Sequence, residues 1–162
     1  MESIKHKLLK QVALRWIQSV GCTVFATEIM WYSCGIPDAI GMKPTGDVYL
    51  VEAKDTTADL RADAKGKKRH LSKLCRLEQS RDIDFVYYIV SDRVDTNLLP
   101  KWVGVIDESG RVKRRAKRHE SRTSSRKEQN YHTLAARLSW VAYGNVIRHE
   151  QEQPEFSLTG GD

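Results

Sequence analysis

The chain is expected to fold as an α/β domain, a mixed β-sheet flanked by helices. Three observations lead there: apolar residues at helical spacing open the chain, short β-branched and aromatic runs separated by turn residues follow, and helical spacing returns after each group of such runs. At 162 residues there is length for one sizeable core and no reason to ask for a second. Residues 1–148 are therefore taken as a single domain carrying a basic segment at 111–127, and residues 149–162 as a flexible tail. Hydrophobic residues at 40% and charged residues at 30% place the chain among globular rather than disordered proteins.

Each element has its own reason. Leu9, Val12, Ala13, Trp16, Ile17 and Val20 recur at helical spacing, with Lys5, Lys7, Lys10 and Arg15 on the polar side, which predicts a helix over 3–20 stopped by Gly21. Residues 22–31 read as a strand with Glu28 inside it. Residues 35–54 read as a β-hairpin: an apolar run at 36–42, turn chemistry in Lys43-Pro44-Thr45-Gly46, and a second strand opening with Val48-Tyr49-Leu50-Val51. Asp55-Thr56-Thr57 offers a cap to a short helical stretch at 58–65, and a further helix is expected from about 68 to 80. The nearly continuous apolar run at 84–91 predicts a central strand covered on both faces. A loop at 92–100, a strand at 102–107, a turn at Glu108-Ser109-Gly110 and a charged edge strand at 111–115 complete the sheet. Residues 120–127 read as mobile, and Tyr131, Leu134, Ala135, Leu138, Val141 and Ala142 mark a last amphipathic helix.

Several function classes are excluded on composition and motif. No apolar run approaches the roughly 20 residues of a membrane span, and the first residues lack the pattern of a signal peptide, so a cytoplasmic protein without membrane attachment is expected. Cys22, Cys34 and Cys75 are odd in number and unpaired in spacing, which fits buried apolar side chains in a reducing compartment rather than disulfides or structural zinc. The glycine motifs of nucleotide-driven motors and dinucleotide enzymes are absent.

Charge and spacing point to nucleic acid and to a metal. Between residues 111 and 127 nine basic residues stand against one acid, a local charge of +8 out of a total of +6, which leaves the rest of the chain at −2. Such a run attracts a polyanion through counterion release without choosing sequence. Its candidate contacts are Arg111, Lys113, Arg114, Arg115, Lys117 and Arg118, with Lys65 and Lys68 beyond it. On the hairpin, Glu52 and Lys54 are two residues apart and share one face, and Asp38 on the neighbouring strand can converge there. Buried charges are costly unless paired or bound to metal, and a divalent cation would resolve that cost. Glu28 reads equally as a strand-end carboxylate paired with a lysine or as a further ligand of the same cation. Asp59, Asp63 and Lys65 read either as lining the cleft or contacting DNA or, more commonly for acids and lysines in a capped turn, as solvated residues.

Pro37-Asp38 followed by Glu52-Ala53-Lys54 resembles the signature of the PD-(D/E)XK nuclease superfamily. The likeness extends over roughly two thirds of the chain. Thr27-Glu28-Ile29 and the segments 58–65 and 100–106 are similar to the order seen in the MmcB-like DNA-repair branch, from which Lys67-Lys68-Arg69-His70 departs. The resemblance implies a restriction-endonuclease-like core and a DNA endonuclease, dependent on Mg²⁺ or Mn²⁺, acting in repair, recombination or defence. It implies that Asp38, Glu52 and the backbone carbonyl of Ala53 hold the metal, that Lys54 orients water or stabilises charge, and that Glu28 is an upstream acid of the site. DNA is the implied partner, and a homodimer is compatible with it. The alternative is a nucleic-acid-binding module, or an interaction subunit of a repair complex, that keeps the fold without catalysis.

Overall fold

Helix α1 spans Ile4–Ser19 and begins where expected, because Ser3 Oγ accepts a hydrogen bond from the His6 N–H at 3.0 Å and so caps its first turn. Leu9, Ala13, Trp16 and Ile17 form its buried stripe. The structure, a computed structural model, describes residues 3–31, 34–65 and 72–119, together with Ala135. The expected mobile stretch at 120–127, the last helix apart from Ala135, the tail at 149–162 and Lys68 lie outside the described residues.

The strands β1 (Val24–Ala26), β2 (Ala39–Met42), β3 (Val48–Lys54), β4 (Phe85–Val90), β5 (Gly104–Asp107) and β6 (Val112–Arg114) form one sheet in that order. β3/β4 and β4/β5 pair in parallel and the other neighbours antiparallel, so the sheet is mixed. Helices α2 (Thr57–Lys65) and α3 (Lys73–Gln79) occupy the crossover between the parallel β3 and β4. Thr56 Oγ1 caps α2 through the Asp59 N–H, and Ser72 Oγ caps α3 through the Cys75 N–H. Helix α3 therefore begins at Lys73, later than the expected 68, and residues 66–71 are outside the description.

Period-two alternation sorts the sheet into two cores. Tyr49, Val51 and Ala53 of β3, with Tyr87 and Ile89 of β4, pack against Leu9, Ala13, Trp16 and Ile17 of α1. Val48 and Leu50, with Val86, Tyr88 and Val90, pack against Leu60 of α2 and Leu74 and Leu77 of α3. The result is three layers, with β4 buried on both faces as its apolar run predicts. Gly41 lets α1 close on the hairpin: a Cβ there would lie 2.3 Å from Ile17 Cγ2. No helix among the described residues is long and apolar enough to cross a membrane.

One expected element is much shorter. The strand predicted over 22–31 is a strand only at Val24–Ala26, with Trp31 in an isolated bridge to Gly35, and Glu28 lies between them with φ 55°, a left-handed conformation unusual outside glycine. The Glu28 N–H donates to Pro37 O at 3.2 Å, and this turn steers Ile29 and Trp31 into the core beneath α2 and α3.

Candidate catalytic and metal site

Register alone brings the hairpin candidates together. Ala39 pairs with Val51, so the next antiparallel rung sets Asp38 beside Glu52, and the parallel register sets Tyr88 beside Glu52 and Val90 beside Lys54. These residues gather at the C-terminal ends of β3 and β4. Glu52 and Lys54 share the face covered by α2 and α3, whereas Asp38 sits at the sheet end and is also reached from α1.

Glu52 carries the sharpest electrostatics. Its side chain is 1% exposed. One oxygen, Oε2, accepts from Lys73 Nζ at 2.5 Å, and the other, Oε1, is buried without a hydrogen-bond partner. Burial raises the Glu52 carboxyl to about 8; Lys73 and Lys54 oppose the rise and the Asp38 charge adds to it. Lys73 Nζ also donates to Ile36 O at 3.3 Å, so its ammonium lies between the strand carrying Glu52 and the segment leading to Asp38.

Lys54 turns to another partner. Its ammonium pairs with Asp63 Oδ2 at 3.0 Å, both side chains being 12% exposed, and the same oxygen accepts from the Tyr88 hydroxyl at 3.0 Å. Burial draws the Lys54 pKa down, but the Asp63 and Glu52 carboxylates more than offset it, and the net shift is upward. Asp63, weighed between a cleft-lining and a solvated residue, is thus a half-buried member of the site. Neither Asp63 nor Lys73 is visible in the hairpin sequence, since each arrives from a helix. The usable signal was the need of a buried lysine for an acid.

Asp38 and Glu28 are joined through α1. Asp38 Oδ2 accepts from the Ala53 N–H at 2.8 Å, and its Oδ1 lies 3.5 Å from both His6 Nε2 and Lys10 Nζ. Lys10 also contacts Glu28 Oε1 at 2.6 Å, but the Glu28 side chain is 61% exposed. Of its two readings, the lysine-paired carboxylate is the one this geometry displays. Beside the cluster opens a cleft of about 450 Å³ lined by Ser3, His6, Lys54, Asp55, Asp59 and Asp63.

The donors that could hold a divalent cation are Asp38, Glu52 and the Ala53 carbonyl, all hard oxygens of the kind Mg²⁺ and Mn²⁺ take. The orphaned Glu52 Oε1 fits that role, because a buried carboxylate oxygen without a donor is costly. Among the described residues no three His, Cys, Asp or Glu side chains converge as a ready cage, so backbone and water would complete the coordination. Cys22 and Cys34 are pushed up to about 11 and about 12 by burial, which suits apolar packing and not nucleophilic chemistry. Gln79 ends α3 with its amide on Cys75 Sγ.

The basic run divides on inspection. Arg111, Lys113, Arg115 and Lys117 are exposed. Lys113 is paired with Asp107 at 3.1 Å. Arg114 instead turns inward, its guanidinium donating to Val103 O, Pro100 O and Leu99 O. Arg118 pairs with Asp47 and lies 3.7 Å from Asp84, the residues directly preceding β3 and β4. It is therefore at the far end of the sheet from Glu52 and Lys54, roughly 20 Å along β3. Arg111 is at the near end, since its carbonyl accepts from Asp107 N–H at the end of β5. Lys65, in the last turn of α2, is exposed.

No protein-family model and no curated protein matches the chain. Among solved structures, the chain is similar to the SPO1766 protein of unknown function from Silicibacter pomeroyi, with a TM-score of 0.66 and 19% identity over 97% of this chain and 100% of that one. At that identity the likeness shows the α/β fold.

Proposed function

We propose that this chain is a divalent-metal-dependent DNA nuclease of the PD-(D/E)XK type. The observation that carries the reading is Glu52 Oε1, a buried carboxylate oxygen without a donor, beside Asp38 on the adjacent strand and on the same face as Lys54. Glu52, Asp38 and the Ala53 carbonyl would hold the cation. A bound Mg²⁺ or Mn²⁺ supplies charge neutralisation at the phosphate and a water of lowered pKa. Lys54, kept protonated by Asp63 and Glu52, acts as a fixed positive charge on the cleft floor and stabilises the charge that develops on the phosphate; it is not a base. The basic edge strand contributes sequence-independent phosphate contacts. Three free cysteines suit a reducing cytoplasm.

A second reading has one observation in its favour. Lys73 already places a cation on Glu52 Oε2, as a nucleic-acid-binding module without catalysis would need. Cleavage of a panel of labelled duplex, nicked, flapped and branched DNA in Mg²⁺ or Mn²⁺ separates the two. Glu52→Ala is expected to lose at least about 100-fold in cleavage while keeping DNA affinity. Cleavage undiminished in EDTA would remove the mechanism, and absence of cleavage by the unmodified chain would favour the binding module.

A further inference from the structure

We infer that Asp63 is a positioning residue for Lys54, acting with Tyr88 as a two-point clamp that presents the lysine ammonium to the cleft; this rests on the nuclease reading above. A lysine stem has four rotatable carbons, and an ammonium acts in a reaction only if its position is held beforehand. Here one carboxylate oxygen, Asp63 Oδ2, receives both the Lys54 ammonium and the Tyr88 hydroxyl at 3.0 Å each. Tyr88 is fully buried on β4 in register with Glu52, so it fixes Asp63 to the sheet floor and not merely to its own helix. Burial keeps the phenol protonated, which leaves it a donor toward the carboxylate.

The clamp also settles a competition. Glu52 and Lys54 share one face two residues apart, and a lysine without another partner would fall on Glu52. Asp63 draws the ammonium toward the cleft, whose lining includes both Lys54 and Asp63. Helix α2 contributes Leu60 as its buried apolar residue, so its apolar packing does not depend on the Asp63 charge.

The test is single-turnover DNA cleavage by the full chain in Mn²⁺, with KM, Mn²⁺ affinity by calorimetry and melting temperature measured alongside. Asp63→Asn keeps the shape and removes the charge. It is expected to lower the chemical rate by about 10–100-fold while leaving KM and Mn²⁺ affinity within about twofold. Tyr88→Phe removes one hydroxyl and is expected to lower the rate by about 3–10-fold; it decides the matter if Asp63→Asn does not fold. In a Lys54→Met background Asp63→Asn is expected to add almost nothing, because it acts through the lysine. A full additive loss in that background, or an unchanged or faster Asp63→Asn, overturns the clamp and leaves the nuclease reading standing. An unmodified chain that cuts none of the DNA panel overturns both.

Discussion

At the C-terminal ends of β3 and β4, Glu52 is 1% exposed and Lys54 and Asp63 are 12% exposed, and each meets an opposite charge within 3.0 Å. Along β6 and the residues flanking it, Arg111, Arg115 and Lys117 stand exposed, while Arg114 between them is turned inward onto three carbonyls. The same residue types are used in both places under different dielectric conditions. Inside, a charge without a partner costs several kcal/mol, so cations and anions are matched one to one. Outside, water screens them and an excess of one sign is tolerated. Substitutions at the buried end should therefore register in stability and its pH dependence, and those at the exposed edge in binding and its salt dependence.

The largest departure is expected at the Lys73–Glu52 pair. Burial raises the Glu52 carboxyl to about 8 against an ordinary value of 4.5, with Lys73 opposing the rise. A raised folded-state pKa means that the folded chain holds a proton the unfolded chain has released. The contribution of this carboxyl to stability is then full below pH 4.5 and is lost as pH climbs through 8, with a slope of at most about 1.4 kcal/mol per pH unit. Glu52→Gln should flatten that slope. Lys73→Met should carry the loss on to higher pH, costing about 3–5 kcal/mol at pH 9 and much less at pH 6, where the carboxyl is protonated. Urea unfolding at the two pH values measures both. An equal cost at both would mean that Lys73 contributes packing and not charge.

Arg114 tests the edge from the stability side. Removing its guanidinium leaves the carbonyls of Val103, Pro100 and Leu99 without this donor. Arg114→Ala should cost about 2 kcal/mol, while the dependence of DNA affinity on salt stays as it was. A flattened salt dependence with unchanged stability would return Arg114 to the phosphate contacts.

The legible parts of this chain were those decided by local chemistry. The 84–91 run became β4 because continuous apolar sequence can only be covered on both faces, and Lys43-Pro44-Thr45-Gly46 fixed the β2/β3 turn, with Gly46 at φ 84°. The parity of Glu52 and Lys54 followed from the pleat. The strand around Glu28 was drawn too long because Thr-Glu-Ile looks like strand continuation, whereas the chain turns to reach Pro37. Lys73 and the pairing of Asp63 with Lys54 were not legible because a polar helix position reads as solvated until the helix is seen lying over buried charges. In the same way the basic run read as one phosphate-binding unit: nothing in a row of arginines announces that Arg114 is used inside and Arg118 is paired at the far end of the sheet.

The smallest effect on stability, and the sharpest on binding, belongs to Arg115 and Lys117. Both are exposed and lie in the segment that directly follows β6. If they neutralise phosphates, log affinity for duplex DNA should fall with log salt at about −0.9 per phosphate, whatever the sequence. Replacing both with Ala should reduce that slope by about 1.8 and weaken every duplex alike, while stability stays within about 0.5 kcal/mol. Mn²⁺ affinity should not move, because the substitutions lie on an edge separated from β3 by two strands. A salt titration of DNA affinity by fluorescence anisotropy, with calorimetry for the metal, makes the measurement. Should the slope stay unchanged, phosphate binding would have to be sought at the other end of the sheet, around Lys65 beside the cleft, which would bring grip and chemistry to the same place.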